Sequence, residues 1–270
     1  MSLDRTRLDA PDVAHLLRSC DALADLARQE TLKWFRTPGL AAENKERDGF
    51  DPVTAADRAA ESAMRAYLAQ HHPDDGILGE EFDPVDSHSG LTWVLDPIDG
   101  TRAFLSGTPC WGVLIALSDA QGPFLGVIDQ PYIGERFLGG LGEARLHGPH
   151  GTRALQTRPT RDIAQAILFT TFPEIGTPAE RAAFERVQGR ALLTRFGMDC
   201  YAYALLAAGQ IDLVIEAGLN PYDIAAPLAV IEAAGGVVTD WQGGPAGGGG
   251  QVIAAANAEL HAQALALLAG

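Results

Sequence analysis

Few segments leave a chain as little choice as Trp93-Val94-Leu95-Asp96-Pro97-Ile98-Asp99-Gly100-Thr101-Arg102-Ala103-Phe104. Its first residues predict an apolar β-strand. Asp96 should close that strand, because Pro97 cannot donate to a sheet ladder and sets a tight turn. Asp99 follows three residues later, so both carboxylates can face one point beyond the strand end. Gly100 permits close backbone approach, and Thr101 is the predicted N-cap of a helix beginning near Arg102. A helix start offers N–H groups and positive potential, which suits a phosphate. Asp96-Pro97 alone says little, since both residue types form ordinary turns. Two acids at the end of an apolar strand, beside an anion-binding helix start, make sense together if hard cations bridge them.

Three more acidic segments point the same way. Ile77-Leu78-Gly79-Glu80-Glu81 ends a short apolar strand in acids and makes Glu80 a candidate third metal ligand, although adjacent glutamates are usually solvated. In the segment Asp51 to Glu61, Thr54 and Asp57 have capping-box spacing, which accounts for both without any function. In Asn220-Pro221-Tyr222-Asp223, Pro221 fits the first helical position and Asp223 the first turn, where the helix dipole favours an acid anyway. The seven histidines, His15, His71, His72, His88, His147, His150 and His261, lie outside these segments and form no HxxxH or HExxH. That weighs against zinc, and an oxygen-only donor set points to magnesium or manganese. There is no GxSxG elbow and no Walker-type loop.

Along the chain, apolar periodicity predicts an alternating α/β order. Helices are expected over Val13 to Phe35, from Thr54 to about Gln70, and over Pro178 to Arg190, Cys200 to Ala208, Ile224 to Ala234 and Glu259 to Leu268. Strands are expected at Ile77-Leu78, Thr92 to Leu95, Ile167 to Thr171, Ile211 to Ile215, Val237 to Thr239 and Val252-Ile253. Trp111 to Leu117 and Phe124 to Ile128 read as a hairpin around Asp119-Ala120-Gln121-Gly122. Ala42 to Phe50 reads as a polar loop, and Gly243 to Gly250 as a flexible surface connection. No repeat or long linker divides the 270 residues, so a single domain is expected, with halves of about 1–150 and 151–270 meeting near Gly148 to Arg161.

The 35 acids against 20 bases give a formal charge of −15, which argues against nucleic acid or an anionic membrane as partner. A small phosphorylated metabolite is still compatible, because a bound divalent cation reverses the local field. Cys20, Cys110 and Cys200 are odd in number and far apart, which fits a reducing compartment rather than a disulfide framework. Met1 to Asp12 does not read as a signal peptide, and no apolar run reaches the roughly 18–20 residues of a membrane span. The expectation is a soluble, cytoplasmic protein.

Taken together, Val53-Thr54 to Glu61, Gly79-Glu80-Glu81, Asp96 to Phe104 and Pro221 to Ala225 resemble the signatures of the inositol monophosphatase superfamily of magnesium-dependent sugar phosphatases. The resemblance runs from about Val53 to Asp240. It is nearest to the histidinol-phosphate phosphatase branch, through Arg102 to Gly107, Arg195 to Leu206 and Val214 to Leu219. It implies a layered αβαβα sandwich and a homodimer. It implies that Glu80, Asp96, the Ile98 carbonyl, Asp99 and Asp223 hold two or three magnesium ions, with manganese as a substitute and Asp57 near the loosest one. Thr101 paired with Glu80 would activate the attacking water, and the Gly100 and Thr101 amides, next to Arg102, would take the phosphate. Met198 stands where the branch more often has glycine, and the Gly247 to Gly250 run replaces a more varied loop.

Histidinol phosphate carries an ammonium and a protonatable imidazole, so Asp199 and Glu216 are the expected additional acids of its pocket. The competing enzyme reading is an inositol-phosphate or sugar-phosphate phosphatase. A nucleotide-phosphate phosphatase lacks an evident basic patch for a second phosphate. A metal-binding regulatory protein without catalysis would typically have lost Glu80 or Thr101, and both are present.

Overall fold

The computed structural model describes residues 5–37, 43–44, 52–53 and 55–270. Helix α1 (Ala10–Thr31) is followed by the two-residue strands β1 (Glu43–Asn44) and β2 (Pro52–Val53) and by α2 (Ala55–His71). Then come β3 (Gly76–Gly79), β4 (Thr92–Asp99), the short α3 (Thr101–Ser106), β5 (Gly112–Asp119) and β6 (Gly122–Gln130). Strands β7 (Glu135–Gly140), β8 (Glu143–Gly148) and β9 (Gly151–Ala154) complete the first half. The rest is β10 (Ile167–Thr170), α4 (Pro178–Gln188), β11 (Leu193–Phe196), α5 (Asp199–Ala207) and β12 (Leu213–Leu219), then α6 (Pro221–Ala233), β13 (Val237–Thr239), β14 (Gly250–Ala255) and α7 (Ala258–Ala269).

Strands β3 to β9 form one seven-stranded sheet in sequence order, parallel between β3 and β4 and antiparallel elsewhere. The second sheet has the order β11-β10-β12-β14-β13, parallel across its first three strands. Side chains alternate between strand faces, and here each face is buried. On β4, Trp93 and Leu95 join a core with Leu23 of α1 and Met64 of α2, while Val94 faces the opposite way. Val94 shares its core with α5, α6 and one face of the second sheet, including Val214 and Val252. The other face of that sheet, through Leu213, Ile215 and Ile253, packs on Phe184 of α4 and Leu260 of α7. Three cores separated by two sheets make five layers, αβαβα. Burial on both faces explains why these strands read as continuous apolar runs.

Most element ends shift by one to three residues from expectation, which is ordinary fraying. Some differences have specific causes. Helix α1 begins at Ala10 because Asp9 and Asp12 form a capping box, with Asp9 Oδ1 accepting the Asp12 amide at 2.9 Å. It stops at Thr31 rather than Phe35. Glu43–Asn44 pairs with Pro52–Val53 instead of lying in a loop, whereas Thr54 and its expected cap lie outside the described residues. Strands β7 to β9 were not expected, and β9 occupies part of the anticipated divide near Gly148 to Arg161. Helix α3 starts at Thr101 with Gly100, at φ 82°, as its cap, so Thr101 is not the N-cap.

A buried carboxylate ties α1 to the first sheet. Asp129 of β6 is fully buried and accepts from Arg28 Nη2 at 2.7 Å and from Arg136 Nε at 2.7 Å. Arg136 also reaches Asp21 at 3.1 Å and Asp25 at 2.6 Å on α1. Removing one partner of a buried ion pair strands the other charge. Arg136→Met is therefore expected to lower unfolding free energy by about 3 kcal/mol in urea titrations. Lys33→Met, which breaks the exposed Lys33–Glu30 pair, should change it by at most about 0.5 kcal/mol.

Candidate active site

The geometry of β4 explains why two acids three residues apart can meet. Residues three apart on a regular strand point to opposite faces. Here Asp96 lies opposite Leu114 and Asp99 opposite Gly112, so three steps on β4 match two on β5. The extra residue is a bulge, and it restores both carboxylates to one side. Pro97 is tolerated inside that bulge and does not terminate the strand, contrary to the expectation from sequence. The Ile98 amide donates to Asp96 Oδ1 at 3.1 Å, which fixes the turn.

A third acid arrives from α6. Asp223 sits in its first turn, and its Oδ2 accepts the Asn220 amide at 2.7 Å. One carboxylate oxygen from each of Asp96, Asp99 and Asp223 lies within 4.8 Å of the others. Burial pushes the Asp96 carboxyl well above its ordinary value, and the charges of Glu80, Asp99, Asp223 and Asp57 add to the effect. Desolvation likewise raises Asp99, with Asp199 and Asp223 next in importance and hydrogen bonds from Cys200 opposing. Burial pushes Asp223 up to about 6. An all-oxygen donor set whose charges repel one another fits a hard divalent cation.

Glu80 follows β3, half-buried, and Asp57 is buried in the first turn of α2. Both face Asp96 closely enough to shift it. Thr101 Oγ1 donates to the Ile98 carbonyl at 3.1 Å, so two expected site atoms are held together. Gly100 lies against Asp199, where a Cβ would come within 2.9 Å of the Asp199 side chain. Arg102 is exposed, its guanidinium carbon 5.0 Å from the centroid of the Phe172 ring.

Asp199 opens α5 with φ 45°, a left-handed conformation that strains a non-glycine residue. The following amide, Cys200 N–H, donates to Asp99 Oδ2 at 2.6 Å. Burial raises the Asp199 carboxyl, while Cys110 and Arg102 pull it down. Glu216 on β12 is buried, and its Oε1 accepts the Thr171 amide at 2.6 Å and the Thr171 hydroxyl at 2.9 Å. Its Oε2 accepts the Thr170 hydroxyl at 3.1 Å. Burial pushes Glu216 up to about 7 despite these donors.

Asp99, Asp199, Glu216 and Asp223 line a cavity of about 210 Å³ with Phe172 and Tyr203. Among the described residues that line it, none is Lys, Arg or His. The structure thus gathers the predicted acids on one side of the molecule in two groups, the cluster around Asp96 and the cavity wall at Asp199 and Glu216. Thr170, Thr171, Phe172, Cys200 and Tyr203 were not anticipated. One signal was available: Thr170 closes the apolar strand β10 and Thr171-Phe172 come directly after it, polar residues at an apolar strand's end as Asp96 and Asp99 are on β4.

Residues 15–269 match the inositol monophosphatase family. The chain is 40% identical over 257 residues to the bifunctional phosphatase IMPL2, chloroplastic, of Arabidopsis thaliana, covering 91% of this chain and 72% of that protein. It is 35% identical over 221 residues to a histidinol-phosphatase of Chlorobaculum parvum, covering 82% and 84% of the two chains. A solved inositol monophosphatase from Zymomonas mobilis superposes with a TM-score of 0.85 at 39% identity, over 97% of this chain and all of that one. With an acid cluster at the end of β4 and likeness at this level over most of its length, the chain belongs to the inositol monophosphatase family and is a phosphatase of that family.

Proposed function

We propose that this phosphatase hydrolyses histidinol phosphate to histidinol and phosphate, a reaction of histidine biosynthesis, with magnesium as its metal. The observation that carries this reading is the cavity wall. Two carboxylates beyond the cluster, Asp199 and Glu216, stand with Phe172 and Tyr203, and among the described residues that line the cavity none is basic. Such a wall suits an ammonium and an imidazole, whose positive charge favours the ionised form of Glu216 and of Asp199. The likeness to histidinol-phosphatases supports it. The likeness to the Zymomonas mobilis enzyme favours inositol phosphate as the second reading.

Glu80, Asp96, the Ile98 carbonyl, Asp99 and Asp223 would hold the metal, with Asp57 beside the loosest site. When bound, magnesium supplies charge neutralisation and Lewis acidity at the phosphate and leaving oxygen. The Thr101 hydroxyl donates its proton to Ile98, which leaves its lone pairs to accept a hydrogen bond from the attacking water. Glu80 takes the other water proton as the new P–O bond forms and the bond to the alkoxide breaks. The alkoxide is protonated from solvent. The Gly100 and Thr101 amides, with Arg102 at the rim, orient the phosphate oxygens, so positioning and charge carry the rate.

Two outcomes are expected. In chelator, stability should fall as pH rises from about 4 to 7, by roughly 3 kcal/mol for a group perturbed like Asp223. The sign follows because folded Asp223, at about 6, and Glu216, at about 7, keep protons that the unfolded chain has released. Saturating magnesium should remove most of that slope near the cluster and raise Tm, so parallel urea titrations at two pH values decide the point. Second, a panel of histidinol phosphate, inositol phosphate and fructose bisphosphate should favour the first. Asp199→Asn should raise KM for histidinol phosphate about 10- to 100-fold, the size expected for a lost charge-assisted contact, with inositol phosphate turnover little changed. Equal losses on all three substrates would refute the assignment of Asp199.

A further inference from the structure

Helix α2 carries an acid that this mechanism does not use. Glu61 is fully buried, one turn after Asp57 and one turn before Arg65, so all three lie on one helix face. Its Oε1 accepts Arg65 Nε at 2.7 Å, and its Oε2 accepts the Glu81 amide at 2.8 Å. Arg65 Nη2 in turn donates to the Phe82 carbonyl at 3.0 Å. Arg58 reaches the Glu81 carboxylate at 3.6 Å. At Gly79 a Cβ would collide with Glu61 Oε1, so the absence of a side chain there admits the carboxylate. The backbone on both sides of Glu80 is thus fastened to α2, at Gly79 by contact and at Glu81 and Phe82 by hydrogen bonds.

We propose that Glu61 is a positioning residue: its buried carboxylate, paired with Arg65, clamps the Gly79–Phe82 segment so that Glu80 is aimed at Asp96. The inference rests on the role given to Glu80 above. Because Asp57 shares the same helix face, the clamp also sets the distance between the two acids that flank Asp96. Hydrogen-bonded supports of ligating side chains typically govern metal affinity or activity by one to two orders of magnitude.

The test uses Glu61→Gln, which keeps the side-chain size, and Gly79→Ala, which displaces the same carboxylate from the other side. Each is made in the wild-type and in the Glu80→Gln background. Magnesium is titrated against turnover, and also against Tm and binding heat, which report on inactive variants. Expected in the wild-type background are a magnesium half-saturation raised about 10-fold, kcat lowered roughly 10- to 100-fold, and KM within about twofold. In the Glu80→Gln background neither substitution should shift magnesium binding further, because nothing remains to be aimed. Lower Tm with an unchanged magnesium requirement and kcat would show a structural role only and overturn the proposal, as would losses fully additive with Glu80→Gln. If Glu80→Gln itself keeps wild-type turnover and magnesium binding, the role of Glu80 fails and that of Glu61 with it. Loss at Glu80 without any effect at Glu61 overturns the clamp alone.

Discussion

Carboxylates taken out of water beside one another hold each other's protons. That mutual repulsion is the constraint under which this site is built. Asp96 has Glu80, Asp99, Asp223 and Asp57 as electrostatic neighbours, and each of them makes its ionisation harder. A fold that only needed those positions filled would place apolar residues there, since the strand leading to them is apolar on both faces. Retaining several acids makes physical sense when a multiply charged cation binds among them.

The same chain shows how it treats a carboxylate with a purely architectural task. Asp129 is as deeply buried as Asp96, yet two arginines are brought to it from α1 and β7. Glu61, also fully buried, has Arg65 and a backbone amide. Asp96, Asp99 and Asp223 instead accept backbone amides, of Ile98, Cys200 and Asn220, and among the described residues no arginine or lysine is ion-paired to these three. Amides orient a carboxylate and satisfy one lone pair without neutralising its charge, so the remaining lone pairs stay directed at a ligand. Partner type, more than burial, separates the two classes of acid.

This distinction sets what could be read from the sequence. The motif from Asp96 to Thr101 stood out because acids at the end of an apolar strand are conspicuous locally, whereas Glu80 and Asp223 gained weight only beside it, since a solvated glutamate pair and a helix's first turn account for them alone. Trp93-Val94-Leu95 read as a buried apolar run, and the sorting of Val94 into a different core from Trp93 and Leu95 came with the structure. The bulge was not legible, because Pro97 carries the same local signal in a bulge as in a strand terminus, and only the register against β5 decides. Strands β7 to β9 were hidden by their composition: Glu135-Arg136-Phe137-Leu138-Gly139-Gly140 mixes charge and glycine, and β9 at the sheet edge is exposed along its length. The hydroxyls of Thr170 and Thr171 found their partner Glu216 about 45 residues away, a distance that no local pattern spans.

The placement of α5 and α6 between the sheets explains how distant acids arrive at one spot. Both helices pack on the first sheet and on the second, and both begin near the bulged end of β4. Asp223 therefore comes from the first turn of one helix and the Cys200 amide from the first turn of the other. The approach of α5 is close enough that Gly100 has no room for a side chain against Asp199. Asp199 adopts a left-handed backbone in the same turn, so strain and close contact coincide where α5 meets the acid cluster. Glu216 is held separately, by hydroxyls and an amide at the end of β10 in the other sheet. Acid cluster and cavity wall are thus anchored to different sheets and joined through two helix starts. Changes in the wall at Thr170, Thr171 or Glu216 can alter what fits the cavity while the bulge, Asp96 and Asp99 keep their arrangement.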